Sequence, residues 1–430
     1  MIPPKPASRQ GKGSVWRFVR DFRRDILSAQ SERLYRAWMA EFRGPGVHSF
    51  TCNDPALVAL ILKQRPMDFP KSSRMAAGLQ PLLGNSSFIS NGETWLHQRR
   101  IIDPAFEGGR LREAFPAMWD AAQSGVARLG KLADGQDFDI EPHTSHIAAD
   151  VIFRTLFSIP IEDATAAQVF SAFRDHQDAR PAAGRADRPC RAGRGSQPPR
   201  APQRPAHPRP DPATGQPEGE QIAAGTAPQD LATKIMTTPD PQTGAVFSDR
   251  EMIDEVATFF LAGHETGASA LAWALYLLAE NPEWQEKLAK EARENLRPDF
   301  AAIKSLPLSR AVFREALRLY PPVAMTVRQC AAPETLRGRK APRGAQLVLS
   351  PFHLHRHERL WNNPDHFDPA RWETENGRAC MRDAYIPFSA GARACPGAGF
   401  AMIEGPLILS ALLQPTGWSR VSNVRCRSCD

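Results

Sequence analysis

A cysteine set among glycines raises a chemical question at once. In PFSAGARACPGAG, residues 387–399, Cys395 is surrounded by Gly391, Arg393, Pro396, Gly397 and Gly399. The glycines favour a tight backbone path whose amides can point at the sulfur, and Arg393 adds positive charge. Both effects favour the thiolate. A nucleophilic thiolate needs a paired base, and no histidine lies in this segment. Ligation of iron is the alternative use of such a sulfur, to be set against the common fate of a free cysteine as a small buried hydrophobe.

A second candidate group is AGHETG, residues 262–267. Gly263 and Gly267 stand four apart, on one face of a helix, each costing about 1 kcal/mol relative to Ala. Close helix packing accounts for the pair alone. Glu265 and Thr266 between them place a carboxyl and a hydroxyl beside a thinned backbone in the core, where polar groups need partners or a task. Proton delivery to a bound species is one such task. Glu315 and Arg318 are i and i+3 on their helix and can pair, a pattern common on surface helices. Here Ala316, Leu317 and Leu319 argue for burial, and a third member such as Arg371 in HFDPARW is then needed. His353, His355 and His357 could line one side of a strand as metal ligands, but with no acidic or cysteine partner they read as polar surface histidines.

The elements that must hold these residues are mainly helical. Ser248 and Glu251 make a capping-box pattern, and apolar periodicity runs from there to Asn281, where Pro282 starts the next helix. That is a helix of roughly 32 residues, about 48 Å, running through the middle of the molecule. Its polar trio His264, Glu265 and Thr266 argues against a membrane span. Other helices are predicted at 54–65, 93–106, about 111–133, 143–158, 307–322 and within IEGPLILSALLQ. LRGRKAPRGAQLVLS reads as β-hairpins, giving a mainly α fold with a small sheet.

The chain has 430 residues, 42% hydrophobic and 23% charged, with a formal charge of +7. This allows one large domain or two and a basic surface that attracts acidic partners. Seven scattered cysteines, Cys52, Cys190, Cys330, Cys380, Cys395, Cys426 and Cys429, form no disulfide framework and fit a reducing cytoplasm. The first 27 residues lack an apolar run long enough for a signal or an anchor. Their Trp16, Phe18, Val19, Phe22, Ile26 pattern is read as a helix packed on the domain. From Pro181 to Gln221 there is no Leu, Ile, Val, Met, Phe, Trp or Tyr, so the segment should be disordered. Its Pro, Arg, Ala and Gly text is what a GC-rich gene yields out of frame, and a frame-shifted segment is expected there. The tail from Pro415 has the same foreign character, and its lone CxxC lacks the second ligand pair that zinc needs.

Together these motifs resemble the cytochrome P-450 haem-thiolate monooxygenases of soluble, bacterial type. Phe388, Gly391, Arg393, Cys395 and Gly397 match the signature FxxGxRxCxG at all five fixed positions, a match expected by chance in about one window in a million. AGHET, ExxR, FDPARW at 367–372 and WxxxR from Trp95 to Arg99 support it, over roughly residues 30–178 and 225–414. The resemblance implies the cytochrome P-450 fold as one large domain, 30–414, with an N-terminal extension at 1–29 and an anomalous tail at 415–430. It implies haem b (iron protoporphyrin IX) with Cys395 as iron ligand, Phe388 packed near the sulfur, and Gly263 and Gly397 against the cofactor. Trp95, Arg99, Arg328 and Arg393 look like partners of the haem propionates, and Glu315, Arg318 and Arg371 resemble a structural triad. Glu265 and Thr266 are similar to the acid and alcohol that bring protons to dioxygen. One oxygen atom would enter a hydrophobic small molecule, with electrons from NAD(P)H through a ferredoxin or flavodoxin and its reductase. Peroxide-driven oxygenation is disfavoured by that acid and alcohol pair, and the AGHET and ALRLYPP wording is similar to branches that oxidise fatty acids or similar lipophiles.

The expected protein is a cytoplasmic monomer with no nucleic-acid partner and no membrane span. Three departures stand out. Gly267 replaces the family's usual Thr or Ser, residues 181–221 take the place of the helices that roof the substrate pocket, and the tail replaces a hairpin that closes its far side. A haem-binding pseudoenzyme or gene remnant without an intact roof is therefore the alternative.

Overall fold

The computed structural model describes residues 1–10, 15–44, 46–132, 137–164, 166–171, 227–228 and 230–415. The 181–221 tract and all but the first residue of the 415–430 tail lie outside the described residues. In chain order the elements are α1 (Val15–Arg24), β1 (Met39–Gly44), β2 (Val47–Cys52), α2 (Pro55–Ala59), α3 (Ser73–Leu83), α4 (Gly92–Ile102), α5 (Gly109–Gly130) and α6 (Glu141–Phe157). They continue with α7 (Leu231–Thr237), α8 (Asp249–Ala279), α9 (Pro282–Asn295), α10 (Pro307–Leu319), β3 (Thr326–Gln329), β4 (Glu334–Leu336), β5 (Arg339–Ala341), β6 (Gln346–Leu349), α11 (Pro351–Leu354), α12 (Glu375–Asp383) and α13 (Ala398–Leu413).

The long helix α8 organises the rest. Ser248 caps it: the hydroxyl accepts the Glu251 N–H, and the Glu251 carboxylate accepts the Ser248 N–H at 2.9 Å. Leu271, Ala274, Leu275 and Leu278 on α8 meet Met118 and Ala121 of α5, Ile147 and Val151 of α6, Phe313 and Ala316 of α10, and Leu407 and Ile408 of α13 in one buried cluster. Glycines set the closest approaches. A Cβ on Gly263 would lie 2.4 Å from Ile152 Cδ1 of α6, and one on Gly405 would lie 2.3 Å from the Phe313 ring. The missing side chain of Gly263 therefore answers to helix packing. No helix among the described residues is long and apolar enough to cross a membrane.

The sheet has order β1-β2-β6-β3, with β2 and β6 parallel and the outer pairs antiparallel. Phe50, Cys52, Leu347 and Leu349 turn one face into a second core. The hairpin reading of 336–350 holds for β4 and β5, joined by Arg337 and Gly338 at φ 46° and 76°. Gln346–Leu349 instead pairs with strands distant in sequence. At the N-terminus α1 lies on the domain, Phe18 against Phe42 at 4.9 Å. Before it, the Met1 carbonyl accepts the Phe367 N–H and the Pro4 carbonyl accepts the Tyr320 hydroxyl.

The histidine reading is corrected. His353, His355 and His357 are buried, at and just after α11. His353 bonds Ser350 Oγ at 2.8 Å, His355 Nε2 accepts the Ile386 N–H at 2.9 Å, and His357 stacks on Trp38 at 4.4 Å. Burial pushes His353 and His355 down to about 3, so they serve as neutral core groups facing different partners.

Glu315, Arg318 and Arg371 do meet. Glu315, fully buried, accepts from Arg318 Nε and Nη2 at 2.9 and 2.8 Å and from Arg371 Nε at 3.1 Å. The spare guanidinium donors reach the carbonyls of His355, Asn362, Asn363, Pro364 and His366. Glu315→Ala strands two buried cations, and a loss of about 3–5 kcal/mol is expected in denaturant unfolding. Removal of the exposed Arg293–Glu286 pair by Arg293→Ala should change stability by about 0.5 kcal/mol or less.

Candidate functional site

The cysteine loop is a set of tight turns closed by its own backbone. The Cys395 N–H donates to the Phe388 carbonyl at 2.9 Å and the Ala394 N–H to the Gly391 carbonyl at 3.0 Å. Gly391 has φ 66°, and a Cβ there would lie 2.0 Å from the Leu62 carbonyl oxygen, so both conformation and space demand glycine. The turn thereby docks on the chain after α2. Gly397 gives its N–H to the Cys395 sulfur.

Cys395 is accessible from one side and crowded by protein on the others. The crowding raises its thiol pKa, opposed in part by the Gly397 N–H and by the charge of Arg99. This corrects two points of the sequence reading. The cation that acts on the sulfur is Arg99, and burial outweighs it and the Gly397 N–H, so the loop alone favours the thiol; a bound metal would favour the thiolate by taking the proton's place.

Beside the loop lies a cluster of cations around Trp95 of α4. The buried Trp95 ring has Arg393 at 4.1 Å, Arg99 at 5.8 Å and Lys71 at 5.9 Å. Arg99 ties α4 to the loop, Nη1 to the Ala394 carbonyl at 2.9 Å, and its Nε bonds Asp103 at 2.6 Å. Arg328 of β3 is buried with Nε unpartnered among the described residues, as are Nε and Nη1 of Arg393. Burial, helped by the charge of Arg393 on Arg328 and of Arg99 on Arg393, pushes Arg328 and Arg393 down to about 10. Lys71 is pushed down to about 6 by burial and then by Arg393, Arg328 and Arg99. It donates to the Ser87 carbonyl, and the Ser87 N–H and hydroxyl bond Glu255 of α8 at 2.6 and 2.7 Å. Burial raises Glu255 to about 7.

Three basic side chains around an indole, with Arg328 near enough to act on Lys71 and Arg393 and with unused donors on Arg328 and Arg393, suit a flat group carrying two carboxylates, and the accessible sulfur next to them suits a soft metal ion. These residues fit a haem. Lys71 escaped the sequence reading, since nothing in FPKSS signals that its side chain turns inward.

Glu265 and Thr266 form a separate group on α8, half-buried where the sequence reading had put them in the core, next to the exposed Ala262. The Thr266 hydroxyl donates to the Ala262 carbonyl at 2.5 Å. A Cβ on Gly267 would lie 3.5 Å from Ala148 of α6, ordinary contact distance.

Comparison with known proteins points one way. The family model described as cytochrome P-450 matches residues 30–177 and 218–423. Its gap nearly coincides with the 181–221 tract, while its second stretch runs into the tail. A cyclooctat-9-en-7-ol 5-monooxygenase of Streptomyces melanosporofaciens is 32% identical over 376 residues, 86% of this chain and 80% of the relative. The cyclooctatin synthase of that organism is 32% identical over 345 residues, 77% and 72% of the two chains. Human cytochrome P-450 4A11 is 31% identical over 386 residues, 82% and 70%. Nothing in these matches supports the alternative of a remnant.

The depressed Lys71 fixes a sign. Folded, it is neutral above about pH 6; unfolded, it stays protonated to about pH 10. The unfolded chain therefore binds more protons across that window, and stability rises with pH through it. Lys71→Met should stabilise the haem-free protein more at pH 7 than at pH 9 in urea unfolding; an equal effect at both would contradict the assignment.

Proposed function

This chain belongs to the cytochrome P-450 family and is a haem-dependent monooxygenase, and from that premise we propose that it hydroxylates a hydrophobic small molecule with electrons from an external donor. The observation that carries this reading is the accessible Cys395 thiol beside a buried cation cluster with spare donors.

In this reading Cys395 holds the iron, Phe388 packs near its sulfur, and the Gly397 N–H tempers the thiolate. Trp95, Arg99, Arg328 and Arg393, with Lys71, would hold the two propionates, and Gly397 would let the backbone lie close to the ring, whereas Gly263 serves the packing of α8 on α6. Glu315, Arg318 and Arg371 keep the loop in place. When bound, the haem supplies dioxygen activation, which its thiolate ligand turns toward O–O cleavage.

The protein's part on the opposite side is to manage protons. The overall change takes R–H, dioxygen, two electrons and two protons to R–OH and water. Thr266 commits its hydroxyl hydrogen to the Ala262 carbonyl, which leaves its oxygen lone pairs to hold a water in position. Glu265 on the same turn exchanges protons with that water and with solvent.

The electron donor is a ferredoxin or flavodoxin, reduced from NAD(P)H by its reductase. Support comes from the surface beside the cysteine helix, where Leu111 meets Gly399 and the flanking Arg110 and Arg112 are exposed. Positive charge there attracts an acidic donor. A lipophilic substrate is supported by the relative named for oxidising cyclooctat-9-en-7-ol. The buried free thiols Cys52, Cys330 and Cys380 fit a reducing cytoplasm.

The reduced carbon monoxide complex should show the strongly red-shifted Soret band of a thiolate site, lost in Cys395→Ala; its absence from folded, haem-loaded wild type would sink the reading. Labelled dioxygen should place one labelled atom in product. Thr266→Ala should lower product per electron roughly tenfold or more while that band persists. Arg393→Leu should speed haem transfer to an apoglobin acceptor roughly tenfold, through loss of a charge-assisted bond.

A further inference from the structure

Lys71 is the one basic group beside Trp95 that can lose its charge. Its backbone is fixed from two sides: it pairs with Arg328 in an isolated bridge, its N–H donates to Asn91 Oδ1 at 2.9 Å, and its carbonyl accepts from Asn91 Nδ2 at 3.2 Å. The side chain therefore stays turned inward, 7% exposed. Among the described residues its amine bonds the Ser87 carbonyl and no carboxylate. Arg393, Arg328 and Arg99 act on it from the cysteine loop, β3 and α4, and Glu255 acts on it from α8. Ser87 stands between lysine and acid, its carbonyl taking Nζ while its N–H and hydroxyl go to the fully buried Glu255. A guanidinium keeps its charge in a protein, whereas a buried ammonium gives its proton up. Burial and then those three arginines accordingly bring Lys71, and no other member of the group, to about 6.

We propose that Lys71 is a proton switch coupled to cofactor binding: neutral in the haem-free protein, it takes up a proton as two carboxylates enter among the arginines, and the new charge is felt through Ser87 by Glu255. This rests on the haem reading of the site. The step is a protonation in which the Nζ lone pair takes a proton from solvent, and no electrons move. With two carboxylates among them, Arg99, Arg328 and Arg393 no longer hold the lysine neutral, and the ammonium becomes the stable form. Glu255 is raised to about 7 by burial, opposed by its Ser87 bonds and by Lys71, with Asp254 working the other way. A full charge on Lys71 turns it into a carboxylate. The chain around Ser87 is already tied to α8, the Asn85 N–H to Asp254 at 2.8 Å and the Thr258 hydroxyl to Ser86 at 2.7 Å. An ion pair across Ser87 tightens that stretch on α8 once the cofactor is in. The sign follows from linkage: above about pH 6 the haem-free lysine is neutral, so binding consumes a proton there and weakens as pH rises.

Iron adds a second proton to the count, because Cys395 releases its own when a metal takes that place. Protoporphyrin IX without iron has the two carboxylates alone. The test titrates the full haem-free chain with each porphyrin by calorimetry, in buffers of different ionisation heat. At pH 8 wild type should take up about one proton per protoporphyrin IX, and Lys71→Met and Lys71→Arg none. With haem, wild type should show almost no net change and Lys71→Met a release of about one proton. Protoporphyrin affinity should fall roughly tenfold or more from pH 7 to pH 9 in wild type and stay within about twofold in both variants. At pH 7 Glu255→Gln should take up more protons than wild type, since Glu255 no longer gives one back. Hydrogen exchange at residues 85–90 should slow on binding in wild type and less so in Lys71→Met. Equal proton uptake in wild type and Lys71→Met overturns the proposal, as does no uptake in wild type or an affinity indifferent to pH. If wild type binds neither porphyrin, the haem reading itself has failed and takes the proposal with it, an outcome distinct from binding without proton uptake.

Discussion

The Glu315 carboxylate is the point on which the cysteine side of the molecule rests. It sits fully buried between two guanidinium groups, an arrangement that is costly unless every donor is used. Here the donors left over after the ion pairs go to backbone carbonyls between His355 and His366, a stretch without regular secondary structure of its own. The chain there is ordered by side chains where a helix or sheet would use its own backbone. The Asp368 N–H also bonds Glu315, and the Met1 carbonyl accepts from Phe367. Further along the chain Trp372, Tyr385 and Ile386 pack in the second core, and the Cys395 loop comes directly after them. Position is thus passed from one buried ion network along the chain to the sulfur.

The loop in turn faces a region that the protein alone leaves electrostatically frustrated. Lys71, Arg328 and Arg393 are lowered first by burial and then by repulsion from their basic neighbours, Arg99 among them. A dianionic group bound among them relieves the repulsion and satisfies the spare donors of Arg328 and Arg393. Binding energy of this kind adds directly to the stability of the folded state. The same frustration explains why Asp103 bonds Arg99 from the α4 side without entering the cluster: a protein carboxylate inside would compete with the ligand.

Legibility in the sequence divides along physical lines. The long helix, its capping box and the ExxR pair are local patterns, and the structure has each of them. The loop glycines are legible as a group, but that Gly391 is forced by the Leu62 carbonyl depends on a contact across the fold. Strand pairing of β6 with β2 is likewise a long-range fact. His353, His355 and His357 mislead because spacing says nothing of burial. Lys71 and Glu255 are invisible because an inward-turned charge leaves no periodic mark. The sign of the Cys395 shift is misjudged for a related reason: amides and a nearby cation are readable in sequence, whereas the crowding that outweighs them is not.

Three buried glutamates then show how environment sets the use of one side chain. Glu315 is matched by two cations and holds structure. Glu255 on α8 has the Ser87 N–H and hydroxyl as donors and Lys71 nearby, and sits at about 7, between the cation cluster and the helix core. Glu404 faces a glycine, with nothing among the described residues bonded to Oε1, and rises to about 8. The difference between Glu255 and Glu404 follows the donors each meets, since burial is the leading raising cause for both and only Glu255 has bonds to oppose it. A carboxyl kept neutral near working pH is able to give up a proton and to recover it, whereas one bonded to two guanidiniums ties separate stretches of chain together. The acid of α10 therefore belongs with the scaffold.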